Sequence, residues 1–370
     1  MRLKKAANLI TINLLVTVGL LIAAEGIASI TLLLYRVFKT PLIIAERRHT
    51  QYDEQLGWVN IPNLYIENMY GTGIYLKTNS QASRNEKNFS TKVPHKKVRI
   101  VCSGDSFTFG NGVSNNRTWC HLLTELIEDL ETVNIGQGGY GVDQIYLRYK
   151  RDGESLEHNI HIFAFITWDF PRMQSTTFAG YGKPILNLVN GQLKVGNSPV
   201  PKRSFYSPKL TQSLGFLRQE LRVVEFFNQL VEKISSPKKD FDFSREFPDQ
   251  NSQAIIAAIL DDLKTMSQQN NNTFILVYLP VKPDYFGLQS TYLWKQYFKI
   301  VSKEKGIIFI DLVDELRQLP PQEIESLFIP GDGHYSNKGN EYIADRLSKK
   351  LLTIPDIMDR SSSKKSASIF

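Results

Sequence analysis

The chain opens on one long apolar run and then settles into short apolar stretches alternating with amphipathic ones. From about residue 9 to residue 35 most positions are aliphatic or small, and Glu25 is the only charge inside the run. As a helix, residues 9–28 would span a hydrocarbon core of about 30 Å. The run has no amphipathic pattern, which argues against a helix of a soluble core. It also exceeds the roughly 7–15 apolar residues of a cleaved leader. Ile22-Ala23-Ala24 and Ile27-Ala28-Ser29 keep a cleavage site open, but the reading is an uncleaved signal anchor over 9–35 with residues 1–8 in the cytoplasm. Residues 36–97 then read as a stalk, near 41–48, and a turn-rich lead-in with Gly57, Pro62, Gly71, Gly73 and apolar alternation over 73–78.

From residue 98 the periodicity switches back and forth. Strand-like runs fall at 98–102, 133–135, 160–166, 274–279 and 307–311, with helix-like segments at 119–130, 142–150, 255–267, 294–303 and 338–352. Such alternation predicts an α/β domain over 98–352, a parallel sheet of five strands with helices on both faces, in a flavodoxin-like three-layer arrangement. Residues 172–249 interrupt the alternation. They contain a hairpin signal, with Asn190-Gly191 as its two-residue turn, and an amphipathic helix near 214–234 carrying Phe216, Phe226 and Phe227. Packing onto the core is the simplest use of this insertion; roofing the site and resting on a bilayer are the others. The Ser- and Lys-rich end, within 353–370, is expected to be disordered.

The most informative residues are Gly104-Asp105-Ser106-Phe107-Thr108-Phe109-Gly110, directly after the first strand-like run. A serine there stands at the carboxyl end of a strand, where open α/β sheets bind ligands. A nucleophilic serine needs a base, and the base needs an orienting group. Of six histidines, His49 and His95 sit in basic stretches and read as solvated. His121, His158 and His161 sit in helix or strand contexts and read as structural. His334 differs, because it lies in the loop Gly331-Asp332-Gly333-His334 just before the last helix. A third Gly-rich turn, Asn134-Ile135-Gly136-Gln137-Gly138-Gly139, follows the second strand.

These three blocks, in their order along the chain, resemble the SGNH (GDSL) hydrolase superfamily. The resemblance implies Ser106 as nucleophile, His334 as general base and Asp332 as its orienter. The Asp332-x-His334 spacing is similar to that of the alginate-acetylating branch. It also implies that the Gly139 N–H joins the Ser106 N–H in binding an oxyanion, charge that a preorganised donor stabilises only in the transition state. The third block departs from the pattern: Trp168 stands where the superfamily usually has an asparagine donor. Losing one such donor elsewhere costs roughly 10²–10³ in turnover, unless Trp168 itself, Thr167 or Asn111 takes its place. Asp169 reads as a helix cap or a partner for Arg172. Leu56-Gly57-Trp58 and Thr78-Asn79-Ser80 resemble the lead-in of membrane-anchored bacterial members.

The resemblance implies a serine-dependent esterase or acyl hydrolase, anchored in the cytoplasmic membrane with its catalytic domain outside. Its substrate would be acylated, with the O-acyl groups of a surface glycan as one candidate. Two alternatives stay open: an O-acyltransferase of a surface polysaccharide, and a catalytically weak, glycan-binding assembly protein. The formal net charge of +7 is dispersed and lacks the clustered Lys/Arg with aromatics of a nucleic-acid surface. Cys102 and Cys120 could form at most one disulfide, and both read as buried thiols. No metal-ligand spacing or organic cofactor is implied.

Overall fold

The computed structural model describes residues 2–39, 48–178, 181–201, 223, 226, 249–285 and 289–354. The expected helix at 214–234, most of the stalk and most of the C-terminal end lie outside them. The chain divides into two units, residues 1–43 with 202–242, and residues 44–201 with 243–370.

In the first unit, α1 (Arg2–Lys39) contains a 25-residue stretch, Asn8–Leu32, with a mean hydropathy of 2.0. At about 1.5 Å per residue it is long enough to cross a bilayer core. Its aliphatic side chains are largely exposed, whereas Glu25, Ala28 and Leu32 are buried. The Glu25 carboxylate accepts the backbone N–H of Val223 at 2.8 Å.

The second unit begins with short antiparallel pairs, β1 (Thr50–Asp53) with β2 (Gly57–Asn60) and β3 (Tyr65–Ile66) with β4 (Leu76–Lys77). The parallel sheet follows: β5 (Val98–Ser103), β6 (Leu130–Asn134) and β7 (Ile160–Phe165). After two more antiparallel pairs, β8 (Thr177–Phe178) with β9 (Tyr181–Gly182) and β10 (Ile185–Val189) with β11 (Gln192–Gly196), come β12 (Thr273–Tyr278) and β13 (Ile308–Asp311). The sheet order is β13-β12-β7-β5-β6, the doubly wound order whose switch point lies between β5 and β7. The α/β class and the five parallel strands are as the sequence predicts.

Period-two alternation explains why both faces need cover. Ile100 and Cys102 of β5, Ile160, Ile162 and Ala164 of β7, and Ile275 and Val277 of β12 enter one core with α3 (Trp119–Leu126) and the helix Asn337–Leu351. His161, Phe163, Phe165, Phe274 and Tyr278 face the other way. There Phe165 stacks on Tyr278, and Phe170 stacks on Trp294 with ring centroids 3.7 Å apart. The hairpin of β10 and β11 turns on Asn190 and Gly191, both with positive φ, as a two-residue type I′ turn requires.

One expectation is corrected. Cys102 and Cys120 are joined as a disulfide, not packed as separate thiols. The helix bearing Cys120 lies on the sheet face to which Cys102 points, which brings their Cα atoms to 6.5 Å, within bridging range.

Candidate active site

Asp105 caps the short helix α2 (Ser106–Phe109), its carboxylate accepting the Phe107 N–H at 2.9 Å. Ser106 is therefore the first residue of a tight strand-to-helix turn. Gly104 is required there, since a Cβ would lie 2.0 Å from Thr108 Oγ1 and 2.9 Å from the Ala164 carbonyl.

His334 arrives from the other end of the chain. Its loop is closed by hydrogen bonds from Ile329 N to His334 O at 2.8 Å and from Gly333 N to Ile329 O at 3.0 Å. Gly331 and Gly333, both with positive φ, let the loop turn so tightly. The imidazole packs against Phe107, with ring centroids 4.9 Å apart. Its Nε2 lies 2.8 Å from Ser106 Oγ, and its Nδ1 contacts Asp332 Oδ1. An ionised carboxylate can only accept, so Nδ1 carries the proton and Nε2 is left to accept from the Ser106 hydroxyl. Residues 228 positions apart in sequence thus meet in a chain of contacts from Asp332 through His334 to Ser106. The Asp332 side chain is 45% exposed and that of His334 21%.

Gly139 lies in the loop after β6, beside the nucleophile loop on the same carboxyl edge. It has φ 79°. The loop is pinned by Gln137 N to Gly104 O at 3.0 Å, by Arg148 Nη1 to Gln137 Oε1 at 2.8 Å and by Trp58 Nε1 to Gly138 O at 3.0 Å. On the other side, after β7, Trp168 sits just before the short helix Asp169–Met173, half-buried against the core. Asn111 uses its backbone N–H on the Ser106 carbonyl at 3.0 Å.

Asp169 contacts Arg172, Oδ1 to Nη1 at 2.8 Å, and its other oxygen accepts the Ile166 N–H at 3.0 Å. Of the two readings made from sequence, the ion pair with Arg172 describes it; the cap does not, because Trp168 holds the cap position and Asp169 is the first helical residue, its carboxylate accepting an N–H ahead of the helix. Arg172 Nη1 also lies 3.4 Å from Asp105 Oδ2 and 3.1 Å from the Tyr140 carbonyl. Burial, reinforced by the charge of Asp105, pushes the Asp169 carboxyl well above the usual range.

Sequence reasoning missed most of what braces the turn. Arg84 is buried and donates from Nη1 to the carbonyls of Phe109 and Gly110, from Nη2 to that of Val113, and from Nε to Asn115 Oδ1. Its charge therefore meets the carbonyl end of α2, the favourable end for a cation. His49, read as solvated, is instead 3% exposed and stacked on Phe109. A second serine–histidine contact, Ser103 Oγ to His161 Nε2 at 2.7 Å, is fully buried. Burial pushes the His161 pKa well below its ordinary value, and the pair lies inside the core, away from solvent.

No protein-family model matches the chain, and no curated protein is detectably similar to it. Several solved structures are. A putative lipolytic protein of the G-D-S-L family from Desulfitobacterium hafniense shares 16% identity over 68% of this chain and 99% of its own, with a TM-score of 0.37. A member of the same family from Veillonella parvula shares 13% over 67% and 95%, with a TM-score of 0.37. A psychrotrophic esterase from Pseudoalteromonas sp. shares 14% over 69% and 99%, with a TM-score of 0.38.

Proposed function

We propose that the protein is a serine-dependent ester hydrolase. The observation that carries this reading is the contact chain from Asp332 through His334 to Ser106 at the switch point of the sheet. Ser106 Oγ attacks the ester carbonyl carbon while His334 Nε2 takes its proton. The N–H groups of Ser106 and Gly139 bind the resulting oxyanion. The ester C–O bond then breaks, and His334 returns the proton to the departing alcohol. Water attacks the acyl-serine, His334 takes and redelivers a proton, and the acid leaves with Ser106 regenerated. Asp332 holds the imidazole in the required tautomer throughout.

The chemistry is testable without knowing the substrate. Full-length protein in detergent should take up one fluorophosphonate per chain, on the peptide containing Ser106, and heat-denatured protein should take up none. A folded sample that stays unlabelled would remove Ser106 as an activated nucleophile.

The apolar helix suits a membrane anchor, and the disulfide favours the oxidising, extracytoplasmic side. An O-acyl ester of a surface glycan is the substrate class this placing favours. Protein denatured without reductant should show no maleimide-reactive thiol until a reductant is added. Two reactive thiols at the outset would remove this support for the extracytoplasmic side.

A further inference from the structure

We propose that Arg172 is a positioning residue for the oxyanion donors, clasping the three loops that follow β5, β6 and β7. This rests on the reading of the site as a serine hydrolase. The block after β7 brings no asparagine to the site, and the reading above draws its oxyanion donors from backbone N–H groups of the other two loops. A backbone donor is only as well placed as its loop is rigid, and a displacement of about 1 Å can cost 10²-fold in rate.

Arg172 touches all three loops. Its Nη1 donates to Asp169 Oδ1 at 2.8 Å, next to Trp168, and to the carbonyl of Tyr140 at 3.1 Å, next to Gly139. Asp105 Oδ2, next to Ser106, lies 3.4 Å away and is held chiefly by charge. Asp105 and Asp169 are completely buried, so two carboxyl groups share this one guanidinium, and its removal would leave them without it. Packing supports the same coupling: a Cβ on Gly141 would lie 2.9 Å from the Met173 nitrogen and 3.0 Å from the Arg172 carbonyl carbon. The oxyanion loop therefore rests directly on the backbone that carries the arginine. The Phe178 ring lies 5.1 Å from the guanidinium.

The test uses full-length Arg172→Ala and Arg172→Lys, with active sites titrated by fluorophosphonate so that misfolded chains are not counted. In Arg172→Ala, kcat per titrated site should fall roughly 10²-fold with KM within about threefold, since the oxyanion forms only in the transition state. Millimolar methylguanidinium should restore part of kcat. Arg172→Lys should fall between wild type and Arg172→Ala, because an ammonium lacks the planar fork. Amide hydrogen exchange over 137–141 should quicken in Arg172→Ala relative to the wild type. Unchanged kcat per titrated site together with unchanged exchange would overturn the clasp. If wild-type protein hydrolyses no ester, the enzymatic reading fails, and the exchange measurement still decides whether Arg172 holds the loop.

Discussion

Ser106→Ala should lower kcat for a short-chain aryl ester by at least about 10⁴-fold, a loss of about 5.5 kcal/mol of transition-state stabilisation. The size follows from what the hydroxyl does: without it no acyl-enzyme forms, and only the oxyanion donors remain to assist attack by water. Folding should survive. The substitution removes one hydroxyl that contacts His334 Nε2 and, at 3.3 Å, Asp105 Oδ2. His334 is partly exposed and can hydrogen-bond water instead, and Asp105 keeps its helix-capping bond. The melting temperature of the full-length variant should lie within a few degrees of wild type. Equal turnover by wild type and variant in pure samples would point to a different nucleophile.

The second largest effect is expected at Asp332. Asp332→Asn should reduce kcat by roughly 10²–10³ while leaving KM nearly unchanged. An amide is nearly isosteric with the carboxylate, so the loop should keep its shape. It carries no charge to stabilise the imidazolium, and its NH₂ group can hold the ring in the wrong tautomer. In a buried triad the corresponding change costs about 10⁴. The smaller value expected here follows from exposure, since water reaches the half-exposed Asp332 and screens its charge. Steady-state kinetics on an ester that is not limited by product release would measure it. A rise in KM with an unchanged kcat would make Asp332 a binding residue and leave His334 in need of another orienter.

The sheet was legible because its strands are buried on both faces and read as continuous apolar runs. Where it was misread, a charge was hidden in the core. The second strand begins at Leu130, three residues before its expected start, because Leu130 reads as the end of the preceding helix and Glu131 carries a charge. Glu131 instead pairs with Arg99 on the neighbouring strand at 2.7 Å, with the arginine fully buried. The expected helix over 142–150 is an α-helix to Arg148 followed by a π-helical turn to Gly153, a change of hydrogen-bond register without a residue signature.

The site divides in the same way. Ser106, Asp332, His334 and Gly139 stand in short motifs whose glycines and spacing are visible in one dimension. Arg84 and Trp58 were not readable in these roles, because they act largely on main-chain carbonyls, which every residue presents alike; of the contacts of Arg172, only the one to Asp169, three residues away, could be read. Likewise, the pairing of Cys102 with Cys120 depends on which sheet face the first helix covers. That is a property of the folded chain.

The grip of Arg84 and His49 on the nucleophile turn bears on how this protein could be shortened or recombined. A soluble enzyme cut at Val98, where the sheet begins, would lose the cation that meets the end of α2 and the ring stacked on Phe109. The severed piece would keep every residue proposed for catalysis and lack the brace that aims the serine. The smallest transplantable unit therefore starts ahead of His49, and a chimera that exchanges the membrane helix for another anchor should be joined there.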